Sequence, residues 1–332
     1  MRAPAFWWSP SGVLSTLLLP FSAIYGYFAD RPFGKGMTAQ IPVLCIGNFV
    51  AGGAGKTPLA IALCKRLTKM GKTPVFLTRG YGGSSQGPHL VNGAKDKAEL
   101  VGDEALLLCD HAPTVVARDR VSGAEFITST LKADIIIMDD GFQSATLKPT
   151  TSILVVDSER VLGNGHVMPA GPLRAKLKTQ MSHADSLMVI NGAKSEYMAL
   201  ETLVGQFKKL KKPVFHAHIK SKPKQKLPKK VIAFSGIAHP EKVFQSLRQS
   251  GADILEEISF PDHHFFNERE AEALLKKADH LKAGLVTTSK DFARLKGGQG
   301  ALGRLADTVK VFEVDLVFKN SAAIDTMLAE VS

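Results

Sequence analysis

The sequence predicts an α/β fold: a mostly parallel sheet with helices on both faces, a smaller α/β unit near the carboxyl end, and an apolar helix at the amino end. Three observations predict it. Short β-rich apolar runs alternate with helical stretches between residues 43 and 190; a glycine-rich loop follows the first run, and an acidic pair closes the fourth. A chain of 332 residues can bury a sizeable core, and its length suggests two domains. The net charge of +11 favours anionic partners: nucleic acid, anionic lipid, a phosphorylated substrate, or none beyond solvent. Three cysteines without metal-ligand spacing, Cys45, Cys64 and Cys109, read as buried free thiols in a reducing compartment.

Taken in order, the amino-terminal segment carries no charge between Arg2 and Asp30. Ser11, Ser15, Ser22 and Gly26 recur at helical spacing and make a narrow small-residue stripe beside a wide apolar face. Pro20 is expected to kink or break that helix. A span needs about 20 apolar residues, and this run barely reaches that length, with Trp7 and Trp8 at an end suited to lipid headgroups. A membrane-surface helix fits better than a span, a core helix or a signal peptide. Residues 1–34 are therefore assigned to a membrane-associating segment.

Strands are expected at 43–47, 75–78, 115–117, 135–138, 153–156 and 187–190, within a nucleotide-binding core over 35–212. "KKLKKP" and "KSKPKQKLPKK" interrupt the pattern, and 213–230 reads as a basic linker region. A smaller α/β unit, 231–332, follows with strands at 231–234, 254–260, 284–288 and 309–314. Its helix from residue 268 is capped by Asn267, with Glu270 completing a capping box.

In "GNFVAGGAGKTPLA", a strand runs into a glycine-rich loop and a helix follows, with Leu59, Leu63 and Leu67 on one face. This is the order of a P-loop, although Val50 stands where its first glycine belongs. Backbone amides of Val50, Ala51, Gly52, Gly53, Ala54 and Gly55 can converge on phosphate oxygens, aided by the helix amino terminus. Lys56 supplies a charge for the β and γ oxygens and Thr57 a hydroxyl for Mg²⁺. "ADIIIMDDGFQ" places Asp139 at a strand end as a Walker B acid, with Asp140 beside it. The bland alternatives are a tight glycine turn with a surface lysine and a strand ending in an acidic turn. "NGAK" at 191–194 and "TSKD" at 288–291 both fail the guanine-reading spacing, so ATP is favoured over GTP. Ala51 replaces the lysine that membrane-targeting regulatory ATPases carry at that point of the loop.

Four polar clusters suggest transfer to a second substrate: "TRGYGG", "VGDEA", "PAGPLR" and "FPDHHFF". Deprotonating a sugar hydroxyl calls for a carboxylate or a histidine–carboxylate pair, and Asp103 with His263 are the best candidates. Asp103 could instead only cap a helix, and His263 be a satisfied loop histidine. Arg79 and Arg174 could be surface arginines, and Tyr81 could simply pack.

The ordered set "GNFVAGGAGKTP", "RGYG", "VGDEA", "DDGFQ", "PAGPLR", "PDHH" and "TTSKD" resembles the tetraacyldisaccharide 4'-kinases, ATP-dependent lipid kinases of the lipid A pathway in Gram-negative bacteria. The resemblance runs from about residue 40 to 295. It implies phosphorylation of the 4' hydroxyl of an acylated disaccharide 1-phosphate at the cytoplasmic face of the inner membrane. By motif it implies that Lys56 and Thr57 handle phosphates and Mg²⁺, that Asp139 is the Walker B acid, and that Asp103 is the base, tuned by His263 or by its neighbour His264. Glu104, Asp140, Arg79, Tyr81, Arg118 and Arg174 are implied as substrate contacts. ATP and Mg²⁺ are the expected cofactors, and the lipid substrate and the membrane surface the expected partners; neither nucleic acid nor an obligate protein partner is expected. Ala54, Ser144, Ala175 and Ser289 depart from the family's usual Thr, His, Glu and Glu. The rival reading is a membrane-recruited regulatory ATPase.

Overall fold

The computed structural model describes residues 3–144, 146–191, 197–221 and 227–332. The strands of three or more residues are, in chain order, β1 (Val43–Asn48), β2 (Pro74–Thr78), β3 (Thr114–Val116), β4 (Ile135–Asp139), β5 (Thr151–Asp157), β6 (Ser186–Asn191), β7 (Val214–Ser221), β8 (Lys230–Ser235), β9 (Asp253–Ser259), β10 (Gly284–Thr288), β11 (Lys310–Phe312) and β12 (Val314–Phe318). The large sheet runs β12-β7-β6-β5-β1-β4-β2-β3, with the two-residue strand His89–Leu90 beyond β3. Its interior pairs are all parallel, and only the two edge pairs are antiparallel.

Central parallel strands are covered on both faces, which is why they read as unbroken apolar runs rather than alternations. Val43 and Cys45 enter one core with Ile136 and Met138, while Leu44 and Ile46 enter the other with Ile135 and Ile137. The helix after the phosphate loop, α2 (Lys56–Lys69), buries Leu59, Leu63 and Leu67 completely against the second of these cores. The polar loops collect at the carboxyl edge, where β1 is followed by β2 on one side of it while β4 is followed by β5 on the other. Ligand crevices form at such a switch point.

A second, four-stranded parallel sheet has the order β9-β8-β10-β11. Its helix Glu268–Leu281 begins with the expected capping box, Asn267 accepting from the Glu270 amide at 3.0 Å and Glu270 accepting in return from the Asn267 amide.

Three expectations are corrected. The segment 213–230 is not simply a linker: Val214–Ser221 is β7, paired with β6 on one side and β12 on the other. β7 itself carries one lysine, Lys220, but it lies between the lysine-rich stretches 208–212 and 222–230, so the charge density of its flanks hid a strand. Residues 222–226 of that segment, like 192–194 of "NGAK", lie outside the described residues. The strand expected at 309–314 splits at Glu313, with β11 in the small sheet and β12 in the large one. The chain therefore ends on the large sheet, and residues 314–332 are not part of the smaller unit. Finally, α1 (Val13–Asp30) continues through Pro20 without a break. It is held on both sides of the proline, where Ser15 Oγ accepts from Asn164 Nδ2 at 3.2 Å and Ser22 Oγ accepts from the Ala170 amide at 2.9 Å.

The last helix, Ser321–Val331, returns to α2. Ile324, Met327 and Leu328 join the core under Leu59 and Leu63, each adding about 1.5–3 kcal/mol by burial. Leu328→Ala should therefore cost about 2–4 kcal/mol in denaturant unfolding; a loss below about 1 kcal/mol would show that the carboxyl-terminal helix is peripheral to the large unit.

Candidate active site

The phosphate loop is shaped by a few fixed points. Gly52 and Gly55 adopt φ of 115° and 89°, and a Cβ at Gly55 would meet Ile190 Cδ1 at 2.5 Å. Val50 needs no such backbone: it is buried, bridges Leu173 in antiparallel fashion, and its carbonyl accepts from Asn48 Nδ2 at 2.7 Å. A side chain packed beneath the loop replaces the missing glycine. Nothing lies within 4 Å of a Cβ placed on Gly52 or Gly53, so that side of the loop is open. Asn48 also accepts from Lys56 Nζ at 3.3 Å, which fixes the lysine over the loop.

Beyond Lys56 stand two adjacent carboxylates with opposite environments. Asp140, at a left-handed φ of 53°, takes Arg174 Nη1 at 2.7 Å and Nη2 at 3.2 Å, and Lys56 Nζ at 3.6 Å. Although burial raises its pKa, Lys56 and Arg174 together hold its carboxyl below the usual range. Asp139 is 1% exposed, and neither of its oxygens has a hydrogen-bond partner among the described residues. Burial, and then the charge of Glu104, push its pKa up to about 7. A buried carboxylate with two bare oxygens beside a phosphate loop is what a hard divalent cation requires. Asp139 and the buried Thr57 on the first turn of α2 therefore fit Mg²⁺.

The third pair is built from both sheets. Asp103 opens α3 (Asp103–Cys109) after Gly102, whose φ of 86° and close approach to the Tyr81 carbonyl exclude a side chain. His263 Nδ1 lies 3.3 Å from Asp103 Oδ2, with His263 itself at a left-handed φ of 56°. Strain of that kind is concentrated at functional sites. The Tyr81 ring packs on His263 at 5.0 Å. His264 turns away to Glu270, 2.9 Å from its Nε2, and stacks on Phe260, so His263 is the partner of Asp103.

Two cations from the helix Ser289–Leu295 complete the arrangement. Arg294 donates from Nε to Asp103 Oδ2 at 2.8 Å and also from Nη2, while its Nη1 holds the Gly236 carbonyl and Asp291. Lys290 pairs with Glu104. Against the effect of burial, His263 and Arg294 keep Asp103 ionised well below the usual carboxylate range. The hydrogen bond that His263 donates to Asp103 raises the pKa of His263. Arg294 is locked in turn by Asp291, which accepts from Ser235, Thr288 and the Gly236 amide at 2.6–2.8 Å.

The sequence profile of one family, described as tetraacyldisaccharide-1-P 4'-kinase, matches residues 14–332. The chain belongs to the tetraacyldisaccharide 4'-kinase family. Relatives carrying that name include proteins of Bradyrhizobium diazoefficiens, 42% identical over 99% of this chain and 96% of its own length, and Agrobacterium fabrum, 43% identical over 98% and 93%. The crystal structure of LpxK from Aquifex aeolicus in complex with ATP superposes with a TM-score of 0.73 at 26% identity, covering 96% of this chain and 99% of that one.

Within this kinase family chain, the fold brings Lys56, Asp139, Asp140, Glu104, Asp103 and His263 along one carboxyl edge. Arg174 is engaged by Asp140 rather than free. Arg79 and Tyr81 are exposed at the mouth, and Arg118 donates to the Gly83 carbonyl at 3.4 Å. Asn48, Lys290, Arg294 and the buried Arg120 went unnoticed in the sequence. Asn48 and Lys290 lay inside quoted motifs, and Arg294 follows Lys290 by one helical turn, which is the signal that could have found it. Arg120, whose Nη1 donates to the Ala117 carbonyl at 2.6 Å, carried none.

An unfolded aspartate releases its proton near about pH 3.9, whereas folded Asp139 holds it to about 7. The folded state binds more protons within that window and so loses stability as pH rises through it. Asp139→Asn should raise the thermal midpoint of metal-free protein more at about pH 8 than at about pH 5, while abolishing Mg²⁺-dependent turnover. A lower midpoint at about pH 8 would contradict the unpaired carboxylate.

Proposed function

We infer that this chain is an ATP-dependent phosphotransferase that phosphorylates the 4' hydroxyl of a tetraacyl-disaccharide 1-phosphate, a late step of lipid A biosynthesis. Family membership carries the substrate class. The unpartnered Asp139 beside a phosphate loop carries the chemistry. A regulatory ATPase is not favoured, because its fold needs no acceptor-activating pair facing the loop.

In this reading the loop amides and Lys56 orient the triphosphate, and Asp139 and Thr57 would hold Mg²⁺, which would supply positive charge beside the transferring group. Asp103 receives the proton of the acceptor hydroxyl. Alone, a carboxylate clamped by Arg294 is a weak base. His263, whose pKa is raised by the same carboxylate, gives the proton a second place to reside. Glu104, neutralised by Lys290, and Asp140, neutralised by Arg174 and Lys56, line the path without adding net repulsion toward ATP. Arg79, Tyr81 and Arg118 are proposed to meet the sugar and its 1-phosphate at the open mouth.

The location proposed is the cytoplasmic face of the bacterial inner membrane. α1 is the one helix among the described residues long and apolar enough to cross a bilayer. Its 18 residues span about 27 Å, just short of a hydrocarbon core of about 30 Å. One side of it is bonded to protein, and Leu17, Phe21 and Ile24 on the other are 60% or more exposed. Such a helix lies on a surface more readily than it crosses one.

With labelled ATP, phosphate should appear on the acylated disaccharide; hydrolysis with no lipid product would overturn the reading. Asp103→Ala should cut transfer by about 10² or more with modest change in ATP affinity, and near-normal turnover would reject it as the base. Replacing both Leu17 and Phe21 by aspartate should abolish co-sedimentation with lipid vesicles without unfolding the protein, and unchanged sedimentation would remove α1 from the membrane.

A further inference from the structure

The apolar helix is not a tether joined by flexible chain. Its inward stripe is fastened to the segment 163–174, and the far end of that segment is fastened to the phosphate loop. Asn164 is the joint: its amide nitrogen donates to the Trp7 carbonyl at 2.8 Å, and its Nδ2 to Ser15 Oγ at 3.2 Å and to the Ala170 carbonyl at 2.9 Å. Trp7 Nε1 donates to the Pro169 carbonyl at 2.9 Å, and the Ala170 amide donates to Ser22 Oγ. Two residues later the Ala51 amide donates to the Pro172 carbonyl at 2.8 Å, and the Arg174 amide to the Phe49 carbonyl at 2.9 Å. Arg174 Nε also holds the Val50 carbonyl, and its guanidinium holds Asp140.

Trp8 makes the connection twice over. Its ring is stacked under Arg160, 4.6 Å from the guanidinium carbon, and walls a shallow open cleft whose other side is the loop Val50–Ala54. The amino-terminal segment thus walls a cleft whose opposite side is the phosphate loop. Whatever restrains α1 also restrains the loop that must close on phosphate.

We propose that docking of α1 on a bilayer tightens ATP binding, through Asn164 as a positioning residue, and that the chain is thereby a more competent kinase on the membrane than off it. The proposal rests on the membrane-surface reading of α1. Its physical basis is ordering: a loop already restrained by the docked helix loses less freedom when ATP arrives. Coupling is reciprocal, so ATP must strengthen vesicle binding by the same factor.

The test uses the full chain, a fluorescent ATP analogue, and vesicles of phosphatidylethanolamine with phosphatidylglycerol. Sedimentation reports docking, and fluorescence reports nucleotide affinity with and without vesicles. Wild type should sediment and bind the analogue about fivefold or more tightly on vesicles. Asn164→Ala should still sediment, with that gain reduced below about twofold. Trp7→Phe, which deletes the bond to the Pro169 carbonyl, and Ser22→Ala, which deletes the bond from the Ala170 amide and one within α1 to the Leu18 carbonyl, should give intermediate gains and keep the test open if Asn164→Ala does not fold. Sedimentation of wild type with unchanged affinity, or a full gain in all three variants, overturns the coupling alone. Failure of wild type to sediment overturns the surface reading and the coupling with it.

Discussion

Four carboxylates crowd the carboxyl edge of the large sheet, and the structure depends on how few cations accompany them inside. Asp140 has Arg174 and Lys56, Glu104 has Lys290, and Asp103 has Arg294 and His263. Asp139 alone is left without a hydrogen-bond partner among the described residues. Burying an ion without a partner is expensive, so the protein keeps that carboxyl protonated to about pH 7 instead. The cost is confined to one group, and that group is the one a divalent cation can relieve. Every other neighbour is neutralised in place, leaving a single addressable charge.

Two of the neutralising cations come from the small sheet, which explains why the chain builds a second unit at all. Lys290 and Arg294 project from one short helix onto Glu104 and Asp103, while Lys242 reaches Asp157 and Glu159 at the end of β5. The small unit is thus bonded to the carboxyl edge at two separated places. Asp291 stiffens the arginine from behind, with four donors converging on it. Removing one partner of such buried charge leaves the other exposed to the full desolvation cost, so the two units are held in register by the acids they share.

Much of this was legible in the sequence because it is local. A strand, a glycine loop and a helix in that order place Lys56 and Thr57 by chain geometry alone, and a strand end places Asp139. What was not legible is what long separations decide. The pairing of Asp103 with Arg294 joins residues 191 positions apart. The choice of His263 over His264 follows from a left-handed residue and a glutamate that captures the neighbour. β7 was hidden because the lysine clusters on either side of it read as a linker, although Ala217 at its centre is fully buried. Pro20 misled for a related reason: intrinsic helix-breaking is overridden where tertiary hydrogen bonds pin the helix on both sides.

The return of the chain to its starting sheet has a consequence for biosynthesis. β12 pairs with β7, and the final helix covers α2, the helix that presents Lys56 and Thr57. These pieces are synthesised after the elements they cover. Until then the flank of α2 that carries Leu59 and Leu63 lacks part of its cover, and the sheet lacks an edge strand. The chain's long-range contacts make assembly slow and expose unpaired edge to neighbours. A nascent chain therefore displays two greasy surfaces at once, the amino-terminal helix and the unfinished flank of α2, and the large unit is completed only once residues 314–331 have been made.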